Sequence, residues 1–110
     1  MEHEEIAFSV DVSTADDGRA LITPKGELDM ATQGELRVVL ERARAEHRVV
    51  ILDLGALRFL DTSGLRLILE TAEASRRDGF AFSVRPGSEP VQRLFEVAGV
   101  TDLVPFDPST

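Results

Sequence analysis

Apolar residues recur along this chain with two periods, two residues and about 3.6 residues, and the switches between them mark out its elements. The stretch from residue 49 to 69, VVILDLGALRFLDTSGLRLIL, shows the change most clearly. Val49, Val50, Ile51 and Leu52, closed by Asp53-Leu54, form a short β-branched run of the kind buried on both faces of a parallel sheet. Gly55 turns the chain, and Leu57-Arg58-Phe59-Leu60 is a second strand-like piece. Beyond Asp61-Thr62-Ser63-Gly64, the apolar positions Leu65, Ile68, Leu69 and Ala72 share one face of a helix. That helix is expected to run to about Arg77, with Arg76 and Arg77 in its last turn and Gly79 as its stop.

The flanking segments follow the same two periods. Met1 to Glu5 reads as a frayed tip. Ile6, Phe8, Val10 and Val12 alternate with polar or small residues, which predicts a half-buried strand. Ala15-Asp16-Asp17-Gly18 is the hairpin turn to a returning strand, Ala20 to Pro24. Pro24 has no N–H for a ladder, so it marks an edge, a bulge or the strand's end. Lys25-Gly26-Glu27-Leu28-Asp29 reads as a loop, with Gly26 free to take a backbone conformation barred to other residues. Thr32 and Glu35 have capping-box spacing at the head of a helix that runs to about Glu46. Leu36, Val39, Leu40 and Ala43 form its apolar stripe, and Arg37 and Glu41 are spaced to pair on its outer side. Downstream, residues 80–84 form a strand, Pro86-Gly87 a loop, and Pro90 opens a short helix with Val91, Leu94, Phe95 and Ala98 on its apolar face. Gly99 ends that helix, and residues 103–106 are a last short strand, at an edge because of Pro105. These elements predict an α/β fold: a mixed β-sheet of about four to five strands, with helices packed mainly on one face and right-handed βαβ crossovers.

Composition narrows the possibilities. A chain of 110 residues with 43% hydrophobic positions forms one domain around a single core. It has no cysteine, so disulfides and thiolate metal sites are excluded. No apolar run approaches the roughly 20 residues of a membrane helix, and the acidic start lacks the pattern of a signal peptide. The expected location is the cytoplasm. The net charge of −8 is uneven: Glu2, Glu4, Glu5, Asp11, Asp16 and Asp17 fall in the first 17 residues with no Lys or Arg among them. Without a basic face, direct nucleic-acid binding is disfavoured. The acidity suits a protein partner with a basic surface, and equally it serves solubility.

The chemistry concentrates at Asp61-Thr62-Ser63. All three are favoured N-cap residues, whose oxygens accept hydrogen bonds from the open N–H groups of a first helical turn. One reading is therefore a well-capped helix. The other is a phosphoryl acceptor, because the same N–H groups and the positive dipole end favour an anion on Ser63. Asp61 opposes that anion by like-charge repulsion, which makes the position suitable for a switch. Catalytic motifs are missing: there is no GxSxG elbow, phosphate-binding GxxxxGKS loop or HExxH, and neither His3 nor His47 is placed by the pattern to serve Ser63 as a base. No cofactor or metal site is expected, and intrinsic catalysis is not the reading.

Three stretches in order, Gly26-Glu27-Leu28-Asp29, LDLGALRFLDTSGL and VQRLFEVAGV, resemble the STAS domain, most closely the bacterial anti-sigma-factor antagonists. The likeness runs from about Ile6 to Phe106. It implies that Ser63 is phosphorylated by a partner of the histidine-kinase-like ATPase class, which is also the anti-sigma factor, and that a PP2C-type phosphatase reverses the modification. By the same resemblance, Gly26, Glu27, Leu28, Asp29, Asp61, Thr62, Ser63, Gly64 and Leu65 form the partner-binding face. Asp61 orients Ser63 or the partner, Gly64 admits the partner's backbone, and Thr62 is a cap and a minor alternative acceptor. STAS domains also serve as scaffold or ligand-sensing subunits of signalling and lipid-transport assemblies, so that role is the alternative. Many members carry a further helix after the last strand. Its absence here implies bare apolar surface near Phe106 and a weak homodimer.

Overall fold

A computed structural model describes residues 7–107 of the chain; the expectations for Met1 to Ile6, His3 included, and for the last three residues lie outside them. Five strands and three helices follow one another as β1 (Ser9–Thr14), β2 (Ala20–Leu28), α1 (Gln33–Glu46), β3 (Val49–Asp53), β4 (Leu57–Leu60), α2 (Thr62–Asp78), β5 (Ala81–Arg85) and α3 (Glu89–Ala98). The expected α/β class and mixed sheet are both found.

β2 organises the sheet. β1 lies antiparallel along one flank, from Ser9 opposite Lys25 to Thr14 opposite Ala20. On the other flank β2 has two successive parallel partners. Its first half, Ala20 to Ile22, pairs with β3, and its second half, Gly26 to Leu28, pairs with β4. β5 completes the sheet beside β3. Alternation turns Ala20, Ile22, Val50, Leu52, Phe82 and Val84 toward one face, where they meet Leu36, Leu40, Ile68 and Ala72 from α1 and α2 in a single core. The opposite face carries half-buried Leu21 and Thr23 and the Asp53–Arg85 ion pair at 3.7 Å.

Several local expectations are corrected. Residues 25–28 are not a loop but the second half of β2, because β4 supplies a parallel ladder that neither the spacing nor Pro24 reveals. Pro24 is fully buried mid-strand, in the interval where β2 has left β3 and not yet met β4. The irregularity follows two residues later, as a register shift at Gly26 and Glu27, and Gly26 takes the left-handed region at φ +97°. The capping box does not form. Thr32 Oγ1 donates to Glu27 O at 2.8 Å and accepts from Asp29 N at 2.9 Å, so it is turned away from the helix it precedes. Arg37 pairs across to Glu70 of α2 at 3.0 Å rather than with Glu41. The last strand shrinks to a single parallel bridge between Val84 and Phe106, since residues Thr101–Leu103 coil into a 3₁₀ turn. Phe106 is half-buried, edge-on to Phe95 with ring centroids 5.1 Å apart.

Candidate phosphoacceptor face

β2 and β4 run parallel and end together, and their ends carry the two motifs singled out in the sequence. The Asp61 N–H donates to Leu28 O at 3.1 Å, which fastens the head of α2 to the end of β2. Asp61 is the N-cap of α2 in extended conformation. Its Oδ1 accepts from Ser63 N at 2.9 Å and Gly64 N at 3.1 Å, so the carboxylate occupies two of the helix's open donors. The same oxygen accepts from Ser63 Oγ at 2.6 Å. Burial pushes the Asp61 carboxyl upward. Hydrogen bonds from the Ser63 side chain and from the backbone N–H groups of Gly64, Ser63 and Met30 outweigh it and hold the carboxyl below its usual value.

Met30 belongs to the turn between β2 and α1, which lies beside Asp61. The turn is itself closed by Asp29, whose Oδ1 accepts from Ala31 N at 3.0 Å and Thr32 N at 3.1 Å. The end of β2 is thus held from both sides, by Thr32 Oγ1 on Glu27 O and by Asp61 N on Leu28 O.

The predicted face divides into a surface and a support. Glu27 and Thr62 are exposed, and Asp29, Asp61 and Ser63 are half-buried. Gly26, Leu28, Gly64 and Leu65 are buried. A Cβ on Gly64 would lie 2.6 Å from Leu60 Cδ1 and 2.7 Å from Leu28 Cγ, so the glycine lets α2 pack onto the ends of β2 and β4. Room for a partner's backbone is not what the site requires of it. The side chains available to a partner are three carboxylates, two hydroxyls and Met30, which is 79% exposed. The sequence reading assigned Met30 no role. Its signal was a large apolar residue standing between Asp29 and Ala31, outside the helical stripe that begins at Leu36. Ser63 has Asp61, not a histidine, as its side-chain partner. His47 caps the far end of α1, with Nδ1 3.0 Å from Gly18 O of the β1–β2 turn. Among the described residues no group of three or more His, Asp and Glu gathers as a metal site, and no helix is long and apolar enough to cross a membrane.

A helix N-terminus presenting a serine at the joined ends of two parallel strands is the arrangement expected of the STAS class, and the STAS domain family matches residues 11–110. The chain belongs to that family. It is 30% identical over 93 residues to the anti-sigma F factor antagonist of Paenibacillus polymyxa, covering 81% of this chain and 78% of that one. It is 31% identical over 86 residues to the anti-sigma-B factor antagonist of Staphylococcus aureus, covering 77% and 80%. Among solved structures, an anti-sigma factor antagonist from Mycobacterium paratuberculosis superposes with a TM-score of 0.82 at 24% identity, over 93% of this chain and 86% of that one. The unphosphorylated form of the antagonist SpoIIAA superposes at 0.72 with 20% identity, over 90% and 88%. At those identities the superpositions establish the fold.

Proposed function

We propose that this chain is an anti-sigma-factor antagonist, switched off by phosphorylation of Ser63. Unmodified, it binds in the cytoplasm an anti-sigma factor of the histidine-kinase-like ATPase class, and so frees the sigma factor. The names of its relatives support the class of partner, and the observation that carries the switch is the 2.6 Å bond from Ser63 Oγ to Asp61. That bond aims the oxygen's lone pairs away from the carboxylate, toward an incoming phosphoryl group. In the transfer, Oγ bonds to the γ-phosphorus of the partner's ATP, ADP leaves, and the hydroxyl proton passes to Asp61 Oδ1, its hydrogen-bond acceptor, and from there to water. The product can no longer donate to Asp61. Up to two negative charges then stand beside a carboxylate that had been stabilised by that donor, near Asp29 and Glu27. Like-charge repulsion and the bulk of the phosphate remove the partner from this face.

Thr62 is exposed at the first helical position and is a minor alternative acceptor. A PP2C-type phosphatase resets the switch. In this reading the chain is the substrate of the transfer, and the partner supplies the ATP. The test is calorimetry with the host's purified anti-sigma factor. Ser63→Ala should bind as the unmodified protein does and Ser63→Asp at least about tenfold more weakly, the scale of a charge placed wrongly in an interface. Equal affinities would refute the switch.

A further inference from the structure

Among the described residues β4 is an edge strand, bonded to β2 alone, and α3 packs beside it. Between them lies an open groove of about 320 Å³, floored by Phe59, Leu60, Leu94 and Val97. α3 is amphipathic in an unusual sense. Val91 and Phe95 enter the core, while Val97, 78% exposed, and half-buried Leu94 form a second apolar strip that no element among the described residues covers. Phe59 is 47% exposed on the facing strand. Apolar surface gathered this way, instead of scattered singly, marks a contact site.

Charge specifies the occupant. Two arginines, Arg58 from β4 and Arg93 from α3, line this groove, and no carboxylate does. Both are exposed, and neither makes an ion pair among the described residues. The chain as a whole is acidic, with 20 acidic and 12 basic residues, so a groove whose described charged lining residues are both arginines runs against the overall charge. Two unpaired guanidinium groups beside an apolar floor fit a segment with an apolar row and flanking carboxylates.

Position specifies which molecule carries that segment. Leu60 lines the groove, and the next residue is Asp61, the cap that holds Ser63. Phe59 is paired in register with Glu27 of the acidic face. The groove and the phosphoacceptor face are therefore adjacent and opposite in charge. We propose that the groove is a second docking surface, taking an acidic amphipathic segment of the same protein partner that engages the Ser63 face. This rests on the antagonist reading above. The partner would present basic groups to Glu27, Asp29 and Asp61 and carboxylates to Arg58 and Arg93. The paired polarity fixes its orientation, because a reversed partner would set like charges against both patches.

The test titrates the host's purified anti-sigma factor into the full chain and three variants: Arg58→Glu with Arg93→Glu, Phe59→Ala, and Ser63→Asp. All the altered groove residues are exposed, and thermal melts check that the fold is kept. Val97→Glu stands in for any variant that melts early. The charge-reversed protein and Phe59→Ala should each bind about tenfold or more weakly, as expected for anchors of an interface, with the charge-reversed protein losing part of the salt dependence. Groove variants binding within twofold of the unmodified protein, while Ser63→Asp is impaired, would overturn the groove and leave the antagonist reading standing. Impaired groove variants with Ser63→Asp unaffected would uphold the groove and overturn the switch. No binding by the unmodified protein would overturn both. Groove variants that change self-association in size-exclusion chromatography but not partner affinity would overturn the proposal in favour of a second copy.

Discussion

Gly64→Ala is the smallest change that separates a packing role from an interface role at this site. A Cβ there would sit 2.6 Å from Leu60 Cδ1, 2.7 Å from Leu28 Cγ and 3.0 Å from Leu28 Cδ2. Ordinary contact distances for such atoms are about 3.5–4.0 Å, so the leucines or the helix must move by close to 1 Å. Leu28 is fully buried and Leu60 is 6% exposed, which leaves neither an open direction to move. Overpacking of this kind costs about 1–3 kcal/mol. Against it stands the gain from replacing a helical glycine, about 1 kcal/mol in a helix interior and less in the first turn. With about 0.5 kcal/mol gained in the first turn, the balance is a loss of about 0.5–2.5 kcal/mol, or a fall in Tm of roughly 2–20 °C for a domain of this size. Urea denaturation followed by circular dichroism measures it directly. A midpoint equal to or above that of the unmodified protein would refute the packing argument. The strain also tilts Asp61 and Ser63 away from the end of β2, so phosphorylation of Ser63 should slow in the same variant.

Asp61→Ala removes the acceptor of two backbone N–H groups and should cost about 1–2 kcal/mol by thermal or urea melts, whereas Asp61→Asn keeps the cap and most of the stability. The folded protein holds the Asp61 carboxyl below its usual value, so the unfolded chain binds the proton first. The stability it contributes is full above the unfolded value of about 3.9 and is lost as pH falls through the lower folded value. The unmodified protein should therefore lose stability more steeply than Asp61→Asn in that acid window; parallel curves would contradict this. Asp17, also held low through its hydrogen bonds from the backbone and side chain of Arg19, titrates in both proteins and cancels in the difference. Thr32→Val strips the donor to Glu27 O and the acceptor from Asp29 N. It should cost about 1–2 kcal/mol and weaken partner binding, with Thr32→Ser restoring both; an unchanged melt would show that the turn holds without it.

The fold was legible where one period dominates. α1 ends at Glu46 as the stripe from Leu36 to Ala43 predicts, and α2 extends to Asp78, one residue past the expected stop, with Gly79 in the left-handed region at φ +83°. The turn at Ala15 to Gly18 is closed by a bond from Gly18 N to Ala15 O at 2.9 Å. What stayed hidden was pairing between distant segments. Nothing near residues 25–28 announces that β4 will take over from β3, and a buried proline with a positive-φ glycine two residues later disguises one nine-residue strand as a strand and a loop. Thr32 misled for a related reason. Its spacing to Glu35 is that of a capping box, but the end of β2 comes back within reach and claims the hydroxyl. At the site, Asp61 and Ser63 were readable because both act within four residues of chain. Met30 was not, since its exposed side chain joins the face only once the β2–α1 turn is set beside the head of α2. Gly64 was read as open to a partner, and it is buried because Leu28 arrives from thirty-odd residues away.

The account turns on whether Ser63 receives a phosphoryl group and whether that group ends the complex. The most direct measurement incubates the purified chain with the host's anti-sigma factor and ATP, maps the product by peptide mass spectrometry, and follows the complex by size-exclusion chromatography in the same samples. The account predicts one phosphoryl group on Ser63, and a complex that disappears in step with its arrival. An unmodified Ser63, or a fully phosphorylated chain that still elutes with its partner, would contradict it.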